Sequence, residues 1–77
     1  MNNVYQTKDL AEAAALIMEG QQMLRIQREG RICWFIFGNK DQCEQISNKF
    51  FFGGLLVNGR EFYETITRLK NRIFSST

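Results

Sequence analysis

The chain has 77 residues, of which 44% are hydrophobic, and ten basic and eight acidic side chains give it a net charge of +2. This length allows one domain over residues 1–77, and the apolar content excludes intrinsic disorder. The charge is far below that of a dedicated nucleic-acid-binding protein.

A short strand and an alanine-rich helix are predicted first. Residues 4–6 are strand-like. Thr7 is the expected N-cap, because its hydroxyl can accept a hydrogen bond from a free N–H of the first helical turn, where Asp9 lies. The helix covers residues 10–19 and ends at Gly20. Its apolar face is expected to carry Leu10, Ala14, Ile17 and Met18.

Residues 23–28 and 31–37 predict a β-hairpin. A two-residue turn at positions 29–30 pairs Arg28 with Arg31, whereas a three-residue loop would shift the register by one and mix the two faces. We favour the shorter turn because it keeps the polar residues of the first strand together. One face then carries Leu24, Ile26, Cys33, Phe35 and Phe37. The other carries Arg25, Gln27, Ile32, Trp34 and Ile36.

Two capped helices are predicted in the second half. Asn39 and Gln42 have the spacing of a capping box, and the helix that they open ends near residues 53–54. Residues 55–57 form a short strand or an extended segment. Asn58 caps a last helix that runs to about residue 74, with an apolar stripe of Phe62, Ile66, Leu69 and Ile73.

The element order β-α-β-β-α-β-α predicts an α+β fold. Its first six elements match a ferredoxin-like split βαβ arrangement, to which an extra C-terminal helix is added. The hairpin face with Ile32, Trp34 and Ile36 is too apolar for free solvent. We therefore expect the last helix to cover that face, with Trp34 beneath it.

The residues needed for common catalytic chemistry are scarce. The chain has no histidine, and the spacing of Cys33 and Cys43 matches no zinc or redox motif. No glycine motif for phosphate binding is present. We expect no enzymatic activity, no metal and no cofactor, with both thiols reduced.

An aromatic run favours a protein-binding role. Helical spacing can bury Phe50 but cannot bury all of residues 50–52 against one layer. An exposed aromatic patch usually marks a protein contact or a homodimer interface. The candidate partner-binding residues are Phe51, Phe52, Tyr63 and Phe74.

Nucleic-acid binding is the alternative. Trp34 on an open sheet face, with Tyr5 nearby, resembles the aromatic platforms on which RNA-binding sheets stack bases. With a net charge of only +2, such binding would be weak. The candidate residues are Arg25, Arg28, Arg31, Trp34, Arg68, Lys70 and Arg72.

Several short motifs resemble those of a known family. They read Tyr-x-Thr-x-Asp before a helix that ends at glycine, then Phe-x-Phe, Val-Asn-x-Arg-x-Phe and Leu-Lys. The matching positions are Tyr5, Thr7, Asp9, Gly20, Phe35, Phe37, Val57, Asn58, Arg60, Phe62, Leu69 and Lys70. The chain thus resembles a small family of unknown function from bacteria, phages and mobile elements. The resemblance implies no activity, and it favours an accessory protein of a phage or mobile element.

The sequence therefore predicts a small non-enzymatic binding protein. The first residues lack the pattern of a secretion signal, and the apolar runs are too short to span a membrane. We expect a cytoplasmic protein that occupies a host or defence protein, without membrane contact and with a homodimer as a further option.

Overall fold

In the computed structural model, residues 3–75 are described, and they form three strands and three helices in the order β-α-β-β-α-α. These are β1 (Tyr5–Thr7), α1 (Leu10–Met18), β2 (Met23–Glu29), β3 (Ile32–Phe37), α2 (Lys40–Phe51) and α3 (Gly59–Ser75). The predicted α+β class is confirmed. The predicted fourth strand does not form, since residues 55–57 lie in an irregular connection between α2 and α3. Leu55 in that connection packs against the core instead.

The three strands form one antiparallel sheet in the order β1-β3-β2. Helix α1 links β1 to β2, and β3 lies between those two strands. This is the split βαβ topology that the first elements predicted. Because the fourth strand is missing, β1 forms one edge of the sheet. Strand β2 forms the other edge.

The hairpin turn lies one residue later than predicted. Glu29 pairs with Ile32, so the two turn residues are 30–31, and Gly30 has the positive φ (61°) that a tight hairpin turn needs at this position. This shift preserves the predicted faces, because it moves the pairing by an even number of residues. The exception is a bulge between Met23 and Arg25. There Met23 packs against the core, while Leu24 is exposed.

The helix caps agree with the sequence except at α1. Asp9, not Thr7, is its N-cap, with a side-chain oxygen that accepts a hydrogen bond from the Glu12 N–H at 2.9 Å. Asn39 and Asn58 accept the equivalent bonds at the starts of α2 and α3, at 3.4 and 3.0 Å. The correction at Thr7 has a physical reason, since its hydroxyl is used in a buried cluster described below.

Helix α1 is the middle of the helical layer. It packs against both α2 and α3, and Ala13, Ala14 and Ala15 are fully buried. Alanine at these positions lets the flanking helices approach closely, because it adds only a methyl group. The buried core cluster joins the sheet to all three helices and comprises Ala13, Ala14, Leu16, Phe35, Phe37, Cys43, Ile46 and Leu69. Of the other predicted core residues, Phe50, Phe62 and Ile66 are half-buried.

The expectation that α3 covers the second sheet face is wrong. Leu69 of α3 belongs to the same buried cluster as Phe35 and Phe37, and the Arg28 guanidinium donates to the Ile73 carbonyl at 2.7 Å. Helix α3 therefore lies beside α1, in the helical layer. Trp34 points to the opposite side of β3 from Phe35, because side chains alternate along a strand. The described residues form a two-layer slab with Cα extents of 36 × 35 × 18 Å.

Candidate binding surfaces

Four strongly exposed apolar side chains lie around the connection between α2 and α3. Phe51 is 57% exposed, Phe52 86%, Leu56 94% and Tyr63 72%. We call these four residues the junction patch. Successive helical positions differ by about 100° in direction, so a run of three phenylalanines at a helix end cannot turn inward together.

The aromatic ring of Phe50 anchors this region. Its centroid lies 5.2 Å from that of Phe51 in an edge-to-face arrangement and 6.2 Å from that of Phe62. The second contact holds the last turn of α2 against the first turn of α3. The exposed side chains next to these rings are thus brought to one end of the molecule. Leu56 was not among the predicted partner-binding residues, because residues 55–57 were expected to be extended or paired.

Phe74 does not belong to the junction patch. It is equally exposed, but it follows Tyr63 by eleven residues along the same helix. At a rise of 1.5 Å per residue, these two positions are about 16 Å apart. The four predicted partner-binding residues are therefore divided between the α2–α3 connection and the C-terminal end of α3.

The sheet face without helices is a second candidate surface. Trp34 is half-buried there, directly opposite Gln27 on β2, and Ile32 is exposed. Ile36 is only 1% exposed although no described helix lies on this face. Its cross-strand neighbours are Gln6 and Arg25, so side chains of the sheet itself must shield Ile36 from solvent.

Tyr5 does not join Trp34, contrary to the expectation from the sequence. It pairs with Phe37 and therefore shares the helix-covered face of the sheet. Its hydroxyl donates a hydrogen bond to Glu12 of α1. Trp34 is thus the single aromatic side chain that the described strands place on the open face.

The predicted basic residues are divided between the two sides of the slab. Arg25 lies on the open face near Trp34, and Arg31 lies in the hairpin turn. Arg28 lies on the helix side. There, Arg68 and Arg72 line a small groove of about 180 Å³ together with Ile17, Met23, Thr65 and Leu69. Lys70 is exposed on α3 as well. These cations do not form one continuous nucleic-acid-binding surface with Trp34.

A buried carboxylate was missed by the sequence analysis. Glu12 is 4% exposed, and its oxygens accept hydrogen bonds from the hydroxyls of Tyr5, Thr7 (2.6 Å) and Ser47. We call these four residues the hydroxyl cluster. It connects β1, α1 and α2. The sequence did contain a signal for the hydroxyl cluster. Tyr5 and Thr7 are two residues apart, so their hydroxyl groups face the same side of a strand.

The electrostatics of the hydroxyl cluster indicate a structural role. Burial raises the pKa of the Tyr5 hydroxyl, and its hydrogen bond to Glu12 raises it further. Burial also raises the pKa of the Cys43 thiol, which the nearby charge of Glu12 reinforces. Both groups are therefore held in their protonated forms near neutral pH. A protonated thiol is a poor nucleophile, so the site favours packing over covalent chemistry.

The cysteines and acidic groups of the described chain form no metal centre. Cys43 is buried and Cys33 half-buried, and each is a free thiol. Within residues 3–75, no group of three or more potential metal-ligating cysteine, aspartate or glutamate side chains is close enough to hold an ion. Over the same residues, no helix has the length and hydrophobicity needed to cross a lipid bilayer.

Comparison with known proteins places the chain in a family. No curated protein and no solved structure matches it significantly. A family model described as a domain of unknown function (DUF5659) matches residues 2–75. The expected kind of family, one without an assigned function, is thus confirmed. Because the match covers nearly the whole sequence, the chain belongs to the DUF5659 domain family.

Proposed function

We propose that this protein is a small non-enzymatic binding module that occupies a protein partner through the junction patch. The observation that carries the proposal is the exposure of four large apolar side chains at one end of the slab. A group of exposed apolar side chains is unfavourable in water and usually marks a protein contact. Fully burying one such side chain contributes about 1.5–3 kcal/mol.

The surroundings of Tyr63 suit an interface with a polar rim. Tyr63 lines a shallow groove of about 320 Å³ with Glu64, Thr67 and Arg68. Next to it, Arg60 and Glu64 form a surface ion pair at 3.2 Å. Binding sites commonly surround aromatic anchors with a polar rim, whose contacts exclude water from the centre. A partner would therefore gain affinity from the apolar side chains and orientation from these charges.

The class of partner follows from the resemblance to proteins of bacteria, phages and mobile elements. For a small accessory protein of such an element, the partner would be a host or defence protein in the cytoplasm. This part of the proposal rests on the sequence motifs, whereas the binding surface rests on the exposed side chains.

Affinity capture from a bacterial lysate tests the proposal. The chain is immobilised, and capture is compared with and without nuclease at low and physiological salt. The double variant Phe52→Ser/Leu56→Ser should lose the partner, because it removes the two most exposed side chains of the junction patch. Phe74→Ser is the control, since it removes a phenylalanine that is 73% exposed at the other end of α3.

The expected result is capture that survives nuclease and physiological salt, because apolar burial is not screened by ions. A captured protein that binds the double variant as well as the original chain would contradict the proposal. So would capture that depends on nucleic acid.

One observation favours nucleic-acid binding as a second candidate. No described helix covers the sheet face that carries Trp34, Arg25 and Gln27, so a base could stack there. Trp34 is the single tryptophan of the chain, and its fluorescence can report binding directly. We expect non-specific dissociation constants of about 10⁻⁴ to 10⁻⁶ M for oligonucleotides at physiological salt. Nanomolar affinity that is lost in a folded Trp34→Ala variant would make this the better function.

A further inference from the structure

The two edges of the sheet differ in how they are protected. Edge strands expose unpaired backbone groups, and proteins usually guard them with charges or bulges. The β2 edge carries Arg25, Arg28 and Glu29 and has a bulge after Met23. The β1 edge, over Tyr5–Thr7, has no charged residue and no bulge. Strand β1 is protected only by its length of three residues, so it is the edge that is more open to another strand.

The hairpin register shows which backbone groups of β1 are free. A two-residue turn is closed by a hydrogen-bonded pair, here Glu29 with Ile32. In an antiparallel ladder the bonded positions alternate, so Phe35 and Phe37 of β3 direct their backbone groups toward β1. Their partners on β1 are Thr7 and Tyr5.

The residues that alternate with Tyr5 and Thr7 are Val4 and Gln6. The N–H and C=O groups of these two residues consequently point away from β3, toward the open edge. A separate contact agrees with this alternation. The carbonyl of Asn3 points to the inner side, where it accepts a hydrogen bond from the Lys40 N–H at 3.1 Å.

A groove of about 340 Å³ follows this edge. Val4, Tyr5 and Gln6 line it along β1, and Lys40 and Glu44 line it along α2. Lys40 and Glu44 are exposed, carry opposite charges and lie one helical turn apart. The groove thus combines free backbone groups with one positive and one negative charge.

We infer that β1 pairs with β1 of a second copy of this chain, in an antiparallel dimer with a continuous six-stranded sheet. A two-fold axis at Tyr5 pairs Val4 of each copy with Gln6 of the other, through the outward N–H and C=O groups. The same axis runs the two α2 helices antiparallel. It therefore sets Lys40 of each copy opposite Glu44 of the other.

The charge pattern distinguishes a second copy from an unrelated peptide strand. A two-fold interface must be self-complementary, because the same surface contributes from both sides. One lysine and one glutamate in the groove satisfy this condition and form two reciprocal ion pairs. This interface lies on β1 and α2, and it goes beyond the partner binding proposed for the junction patch.

Charge reversal tests the dimer by sedimentation equilibrium over a concentration series at low salt. Lys40→Glu and Glu44→Lys should each raise the dissociation constant about tenfold, because each replaces two attractive pairs by two repulsive ones. The double variant Lys40→Glu/Glu44→Lys restores both pairs, so it should dimerise like the original chain. An equimolar mixture of the two single variants should form mixed dimers.

A backbone variant supplies an independent measurement. Gln6→Pro removes an outward N–H while leaving the bonds between β1 and β3, so it should abolish the dimer. Gln6→Thr keeps the N–H and is the matched control, and circular dichroism verifies that each variant is folded. The Phe52→Ser/Leu56→Ser variant should still dimerise.

The proposal is overturned if the original chain is monomeric throughout the concentration series. It is equally overturned if the charge-reversal variants all associate alike, or if loss of Phe52 and Leu56 abolishes association. In the last case the junction patch, not the β1 edge, would hold the copies together.

Discussion

At the scale of single residues, the hydroxyl cluster is the unusual feature of this molecule. A buried carboxylate is costly unless its oxygens are hydrogen-bonded. Three hydroxyl groups from two other elements meet this requirement at Glu12. The described chain shows one ion pair, Arg60 with Glu64, so Glu12 is held by hydroxyl donors and not by a cation.

Loss of the Glu12 carboxylate should destabilise the fold. Glu12→Ala leaves three hydroxyl groups without their acceptor in or beside the core, so we expect a loss of at least about 2 kcal/mol. Ser47→Ala removes only one donor and should cost about 1 kcal/mol. Urea denaturation followed by circular dichroism measures both. A Glu12→Ala variant as stable as Ser47→Ala would show that the cluster does not act as a unit.

Stability should fall at alkaline pH. The pKa values of Cys43 and Tyr5 are raised in the folded state above their ordinary values of 9.0 and 10.0. Below pH 9 both states hold these protons, and the contribution to stability is fully present. As the pH rises past 9 and then 10, the unfolded chain releases protons that the folded chain retains, so the free energy of unfolding decreases.

Urea midpoints between pH 7 and pH 11 measure this dependence. The variant Tyr5→Phe/Cys43→Ala should show a shallower decline than the original chain, because neither group can then titrate. Cys33→Ala is the control for the loss of a thiol elsewhere. An unchanged slope in the double variant would assign the alkaline decline to other groups.

At the scale of elements, the position of α3 decides the architecture. Its apolar stripe packs beside α1, whose buried alanines leave room for a close neighbour. Arg28 then reaches the last turn of α3, where its guanidinium donates a hydrogen bond to the Ile73 carbonyl. The helix therefore completes the layer that covers one face of the sheet.

Leu69→Ala should be strongly destabilising. Leu69 is the residue of α3 that belongs to the buried core cluster, and large-to-small changes of this kind cost about 2–5 kcal/mol. Lys70→Ala on the same helix alters an exposed side chain and should change stability by less than about 0.5 kcal/mol. Urea denaturation of the two variants measures this difference in the free energy of unfolding. Equal stabilities would mean that α3 is not part of the cooperative core.

At the scale of the whole molecule, one sheet face is covered and the other is not. The helical layer buries Phe35 and Phe37, whereas the opposite face relies on its own side chains. A thickness of 18 Å leaves space for two layers only. This asymmetry leaves a broad surface with Trp34 near its middle.

The fluorescence of Trp34 should therefore be accessible to a quencher in the folded protein. Acrylamide should quench it appreciably before any unfolding, because no described helix shields the ring. A variant truncated after Asn58, which lacks α3, would test the same point. If Trp34 were beneath α3, the full chain would resist quenching, and truncation alone would expose the ring.

Much of the local structure was predictable from the sequence. Asn39 and Asn58 begin their helices as expected, and Gly20 ends α1 with a φ of 89°. Apart from Leu24 at the bulge, the alternation along β2 and β3 identified the correct faces although the turn was placed one residue early. These features depend on neighbouring residues and on backbone conformations that few side chains allow.

The tertiary structure decided the rest. The side of the sheet that α3 covers, the missing fourth strand and the burial of Glu12 depend on contacts between residues far apart in the chain. Glu12 lies outside the apolar face that the periodicity of α1 predicted. In the fold, α1 is enclosed by β1 and two helices, so even its polar side is buried. Periodicity could not predict this, because it describes a helix with a single covered face.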